Sequence, residues 1–120
     1  MSAPVISIID DDASNRYALL ALMHSLAFNA SVHESAEAML ASDQPYTADC
    51  VITDIQMPGM NGFGLIAALR AMGSEVPVIM ITGRSEARLR DRAISSGAVC
   101  LLRKPFPIDA LIDCLSVILR

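Results

Sequence analysis

Four acidic residues, one hydroxyl and one amine stand where they could work together. Asp10, Asp11 and Asp12 follow the apolar run Val5-Ile6-Ser7-Ile8-Ile9, and Asp54 follows Cys50-Val51-Ile52-Thr53. Thr82 follows Val78-Ile79-Met80-Ile81, and Lys104 closes the stretch that starts at Val99. Carboxylates brought to about 4 Å repel by about 4 kcal/mol at an effective dielectric of about 20, so such a group draws in protons or a cation. With oxygen donors and no His or Cys beside them, the ion would be a hard one, Mg²⁺ or Mn²⁺. Mg²⁺ takes only one or two carboxylates and keeps positions open for a phosphoryl oxygen. Lys104 adds a positive charge and Thr82 a hydroxyl donor. That combination suits phosphoryl transfer, where positioning and charge neutralisation carry most of the catalysis. A carboxylate can itself be the nucleophile, giving an aspartyl phosphate.

The elements that must position these groups are legible as an alternation of β-branched runs and helical patterns. Strands are expected at Val5–Ile9, Asn29–His33, Cys50–Thr53, Val78–Ile81 and Val99–Leu102. Between and after them come five helices. The first spans Asn15–Leu26, with Leu19, Leu22, Met23 and Leu26 on one face. The second is Ser35–Ala41, with Ser35 as N-cap. The third is Phe63–Met72, ended by Gly73, and the fourth is Glu86–Ser96, closed by Gly97, with Leu89, Ala93 and Ile94 turned inward. The last carries Ile108, Leu111, Ile112, Leu115 and Ile118 and is expected to end at Arg120. Strands that read as continuous Val/Ile/Leu runs are buried on both faces. An α/β fold follows: an open, doubly wound parallel sheet with right-handed crossovers. In such a sheet ligands bind at the carboxyl ends of the strands, where every residue named above falls.

Taken in order, Ile8-Ile9-Asp10-Asp11-Asp12, Asp54 with Met57-Pro58-Gly59-Met60-Asn61-Gly62, Ile81-Thr82-Gly83 and Lys104-Pro105-Phe106 resemble the receiver domain of bacterial two-component response regulators. The resemblance covers nearly all of residues 1–120, as one domain. It implies a flavodoxin-like sheet of order 2-1-3-4-5, and Asp54 as acceptor of a phosphoryl group from a sensor histidine kinase. It also implies Asp10, Asp11, Asp54 and the Gln56 carbonyl around Mg²⁺, and Thr82 and Lys104 as contacts of the phosphoryl group. A cis Lys104-Pro105 bond and a cytoplasmic switch that controls an output domain or partner, in transcription, are implied too. The pattern is most similar to receivers joined to LuxR-type output domains, and the chain is read as a stand-alone receiver or a piece of a longer regulator. Relatives dimerise, or grip their output, through the fourth helix, fifth strand and fifth helix, where Arg88 or Arg92 could meet Asp109 or Asp113 of a second copy. One departure concerns Leu101, which stands where the family carries Tyr or Phe. Gln56 and Arg84 occupy positions that tune dephosphorylation in relatives, and Arg84 is expected to restrict water or touch the phosphoryl group.

Composition limits the alternatives. Thirteen acidic against nine basic residues give a net charge of −4, which disfavours direct nucleic-acid binding. No apolar run approaches the roughly 20 residues of a membrane span, and no signal peptide is evident. Such a domain would be a self-modifying phosphoacceptor, catalysing its own phosphorylation and slow dephosphorylation, and not an enzyme for an external metabolite. A haloacid-dehalogenase-like phosphatase could use Asp10-x-Asp12, with Asp10 as nucleophile, and an unphosphorylated interaction module could share the fold. A flavodoxin-like electron carrier is disfavoured, because three acids fill the first loop where a phosphate needs donors. Asp12 reads better as a helix cap than as a metal ligand. His24 and His33 read as surface or packing residues, and the seven methionines as core filler. Cys50, Cys100 and Cys114 are expected to be free thiols.

Overall fold

The computed structural model describes residues 3–119; Met1, Ser2 and Arg120, where the last helix was expected to end, lie outside the described residues. Five strands, β1 (Val5–Ile9), β2 (Asn29–His33), β3 (Cys50–Asp54), β4 (Val78–Thr82) and β5 (Cys100–Arg103), form one sheet of order β2-β1-β3-β4-β5. Every neighbouring pair is parallel. The reversal of strand order between β1 and β3 places the exits of those two strands side by side, which makes the acidic pocket. The helices are α1 (Ala13–Ser25), α2 (Ala36–Leu40), α3 (Gln44–Thr47), α4 (Gly62–Ala71), α5 (Ala87–Ser96) and α6 (Ile108–Ile118). The single turn α3 is additional to the five expected.

Side chains alternate across the sheet and build two apolar layers. Ile6, Ile8, Cys50, Ile52, Ile79 and Ile81 face α1 and α6 and meet Met23, Leu111 and Leu115. Ile9, Val51, Val78 and Met80 face the other way and meet Met39, Leu65, Leu69 and Ala93 from α2, α4 and α5. The central strands are buried on both faces as expected. The edges are not: β2 is half-buried, and β5 ends on an exposed Arg103. Met23, Met39 and Met80 are fully buried core residues.

Local chemistry fixes the ends of the helices. Asp12, Ser35 and Asn61 cap α1, α2 and α4, each side chain accepting a backbone N–H from three residues on. Gly97 ends α5 in the left-handed conformation at φ 97°. Two expectations are corrected. Ile94 is 62% exposed, because α5 turns Ala93 inward and Ile94 sits next to it around the helix, at the rim of a groove. Cys100 and Cys114 are joined as a disulfide, since β5 and α6 bring their Cα atoms to 6.3 Å. Cys50 is free and buried, as read from the sequence. Among the described residues no helix is long and apolar enough to cross a membrane.

Candidate functional site

Asp10 is the first residue beyond β1 and is almost fully buried. It is held from several directions: its N–H donates to the His33 carbonyl, and its own carbonyl accepts from Arg16 Nη1 at 2.8 Å. Its Oδ1 accepts the Asp12 N–H at 2.9 Å, leaving Oδ2 to face the pocket. Asp11 is exposed beside it. Asp54 closes β3, partly covered, and its carbonyl accepts the buried Thr53 hydroxyl at 3.0 Å. One oxygen each from Asp10, Asp11 and Asp54 lies within 4.8 Å of the others.

Gly62 lets the chain close behind Asp54. A Cβ there would sit 2.9 Å from the Asp54 carbonyl oxygen and 3.1 Å from the Ile55 Cα, both backbone atoms that cannot swing aside. The Gly62 N–H instead donates to the Ile55 carbonyl. The acidic strand end is thereby pressed against the N-terminus of α4.

Lys104 reaches in from the loop after β5. Its N–H donates to the Thr82 carbonyl at 2.7 Å, and the following peptide bond to Pro105 is cis, as the resemblance implied. The ammonium stands 3.4 Å from Asp54 Oδ2 and 3.8 Å from Asp10 Oδ2. Burial holds the Asp54 carboxyl above its ordinary range; the Lys104 charge opposes this, while Asp10 and Asp11 reinforce it. Three oxygen donors with no nitrogen or sulfur among them form a set that fits Mg²⁺, as deduced from the sequence.

Thr82 ends β4, buried, but its hydroxyl is already engaged. Thr82 Oγ1 donates to Gln56 Oε1 at 3.0 Å and accepts the Arg84 N–H at 3.0 Å. Sequence reasoning assigned Gln56 a role through its carbonyl and missed this side-chain bond. It depends on a rotamer meeting a residue 26 positions away, and no spacing rule encodes that. Arg16 was likewise missed. The Arg84 side chain is exposed, at the edge of a groove of about 490 Å³ that also contains Gln56, Phe63 and Arg92. Arg92 lies over the Phe63 ring at 4.1 Å. Leu101 is partly buried against the α4–α5 layer and borders a second groove of about 600 Å³, shared with Thr82. Asp12 spends its side chain on the α1 cap, so the Asp10-x-Asp12 pairing that a phosphatase would need is not favoured.

Residues 6–116 match the family model of the response regulator receiver domain. The chain is 36% identical over 106 residues to the transcriptional regulatory protein FixJ of Bradyrhizobium diazoefficiens, covering 88% of this chain and 52% of that protein. It is 35% identical over 112 residues to the C4-dicarboxylate transport transcriptional regulatory protein DctD of Rhizobium meliloti, covering 93% and 24%. The chain thus spans about half of FixJ and less of DctD. Among solved structures, FixJ-N aligns with a TM-score of 0.88 at 30% identity, covering 98% of this chain and 94% of that one. The chemotaxis protein CheY4 of Vibrio cholerae gives the same TM-score at 24% identity, covering 98% and 99%, a likeness of fold. With nearly its whole length matched in this way, the chain belongs to the response regulator receiver domain family of two-component systems.

Proposed function

We propose that Asp54 accepts a phosphoryl group from a phosphohistidine of a sensor histidine kinase, in a reaction the domain itself catalyses, and that the resulting charge switches its output. The observation that supports this most is the placing of the Asp10, Asp11 and Asp54 oxygens within 4.8 Å of one another, with the Lys104 ammonium 3.4 Å from Asp54. Asp10, Asp11, Asp54 and the Gln56 carbonyl would hold Mg²⁺ or Mn²⁺. When bound, the ion neutralises carboxylate charge and polarises the phosphoryl oxygens.

An Asp54 carboxylate oxygen forms the new bond to phosphorus. The nitrogen–phosphorus bond of the donor breaks, and its electron pair returns to the imidazole, which takes up a proton. Lys104, already aimed at Asp54, balances the charge on the phosphoryl oxygens. Asp10, gripped by Arg16 and the Asp12 N–H, stays fixed while this happens. Thr82 is the moving part. To donate to a phosphoryl oxygen its hydroxyl must leave Gln56, a hydrogen bond worth about 1 kcal/mol net. Gln56 thus holds the resting state, and phosphorylation shifts a two-state equilibrium by replacing that bond with a charge-assisted one.

Movement of Thr82 is felt at Leu101 and the groove of about 600 Å³ beside it, where Ile94 and Val99 are exposed. That face is suited to an output domain, of LuxR type and regulating transcription, or to a second copy of the chain. Arg92 is occupied by Phe63, which leaves Arg88 to meet Asp109 or Asp113 across such a dimer. The test is incubation with acetyl phosphate and Mg²⁺, followed by mass spectrometry of the intact chain. Wild type gains one phosphoryl group, and Asp54→Ala or added chelator abolishes the gain. An unmodified wild type would overturn the proposal.

A further inference from the structure

Cys100 opens β5 and Cys114 lies on α6, 14 residues on, with Cα atoms 6.3 Å apart and the sulfurs joined. The fold does not need this link as a staple. A chain of 120 residues buries enough surface to stand without one, and the two apolar layers are continuous around Met23, Ile52, Leu69 and Met80. Both cysteines border the groove of about 600 Å³, so a small thiol can reach the bond. Cys100 is the more open of the pair, and Cys114 is 8% exposed. Cys50 is unsuited to compete: it is sealed in the core, and burial, aided by the Asp49 charge, pushes its thiol up to about 12.

The position of the pair gives it a consequence. Cys100 directly precedes Leu101, in a strand whose far end pairs Arg103 with Thr82. A covalent bond to α6 therefore anchors the start of the strand that must respond when Thr82 moves.

We propose that Cys100 and Cys114 form a reversible thiol–disulfide modification site that exchanges with a small disulfide of the glutathione type and, when closed, restrains the β5–α6 face. The thiolate of Cys100, the more open residue, attacks one sulfur of oxidised glutathione, forming a mixed disulfide and releasing one glutathione. The Cys114 thiolate then attacks the Cys100 sulfur and displaces the second glutathione. Two protein thiols lose two protons and two electrons, which oxidised glutathione takes up to become two reduced molecules. The effect on switching rests on the phosphoacceptor reading; the exchange itself does not.

The test uses the intact chain equilibrated with graded ratios of reduced to oxidised glutathione, acid-quenched, unfolded, alkylated and weighed. The expected result is a shift from three alkylated cysteines to one, with peptide mapping linking Cys100 to Cys114 and Cys50 always alkylated. Cys114→Ser should stop at a glutathione adduct on Cys100, and Cys100→Ser should form no cross-link. Three alkylated cysteines at every ratio, a bond to Cys50, or a bond that dithiothreitol cannot open in the folded protein would each overturn the site. Hydrogen exchange on oxidised and reduced protein, with and without beryllofluoride and Mg²⁺, tests the restraint. Exchange in β5 and α6 should be more than roughly threefold slower in the oxidised form, with a smaller response to beryllofluoride. An equal response in both forms overturns the restraint. Failure of both forms to take up beryllofluoride overturns the phosphoacceptor reading and the restraint with it, while the mass measurement decides the site alone.

Discussion

Replacing Asp54 by asparagine removes one charge from the pocket and keeps its shape, and the geometry says what that should do to stability. At the 4.8 Å limit of their separation, buried Asp10 disfavours the Asp54 charge by about 3.5 kcal/mol at an effective dielectric of about 20, and exposed Asp11 by about 1 kcal/mol in a water-like one. Lys104 at 3.4 Å returns about 5 kcal/mol at a dielectric of about 20, an upper figure because its side chain is 34% exposed and screened. Charge terms therefore nearly cancel, and burial of the carboxylate, the largest influence on it, tips the balance against the ionised form. In chelator at neutral pH the Asp54→Asn chain should be more stable than wild type by about 1 kcal/mol, raising Tm by about 4 °C. Saturating Mg²⁺, at about 100 times its Kd, should add about 2.7 kcal/mol to wild type and less to the variant, so the order reverses. Urea and thermal unfolding followed by circular dichroism give both comparisons; the chain has no tryptophan to report by fluorescence. A variant less stable than wild type in chelator by 1 kcal/mol or more would mean that the Lys104 ion pair outweighs burial. An equal Mg²⁺ shift in both proteins would refute the role of Asp54 in holding the ion.

Three further outcomes are expected. Gly62→Ala should destabilise the fold by about 1–3 kcal/mol and slow acetyl phosphate labelling, because the new methyl meets the Asp54 and Ile55 backbone; unchanged unfolding and labelling would show that the loop adapts freely. Gln56→Ala should release the Thr82 hydroxyl and tighten beryllofluoride binding about fivefold in an NMR titration, the equivalent of one hydrogen bond; weaker binding would remove Gln56 from the resting-state latch. Burial lowers the His33 pKa from its ordinary 6.5, so the unfolded chain binds more protons there, and its Nε2 finds no partner among the described residues. The contribution of His33 to stability is complete above 6.5 and is lost as pH falls through the folded value, while the raised Asp54 pKa acts with opposite sign in the range above 3.8. Unfolding at pH 7.5 and 5.5 should show wild type losing more stability than His33→Asn, and parallel losses would exclude His33 as the source.

The sheet was legible because its central strands are continuous runs bounded by acidic or turn residues. Val5–Ile9 and Asn29–His33 match the structure end to end, and the other strands differ by a residue or two at their ends. The site followed, since a parallel sheet gathers its strand exits on one edge, and Asp10, Asp11, Asp54 and Lys104 do converge there. What escaped depends on packing between distant segments. The α3 turn, Gln44–Thr47, includes Pro45 and is too short for any periodicity to declare. Ile94 fits the apolar spacing of α5, yet nothing among the described residues covers it; the sequence shows what a helix could bury and is silent on whether a partner within the domain exists. The Cys100–Cys114 bond required knowing how α6 lies on β5. The Gln56–Thr82 bond is a rotamer choice across two loops. Asp12 was legible for a local reason, since capping involves only neighbours.

The most direct measurement is the position of the acyl phosphate. After brief exposure to acetyl phosphate and Mg²⁺, borohydride reduction converts a phosphorylated aspartate to homoserine, and peptide mass spectrometry reads where that change falls. Conversion at Asp54, lost with chelator and with Lys104→Met slowed, is the predicted result. Conversion at Asp10, or at no aspartate of the pocket, would contradict the account.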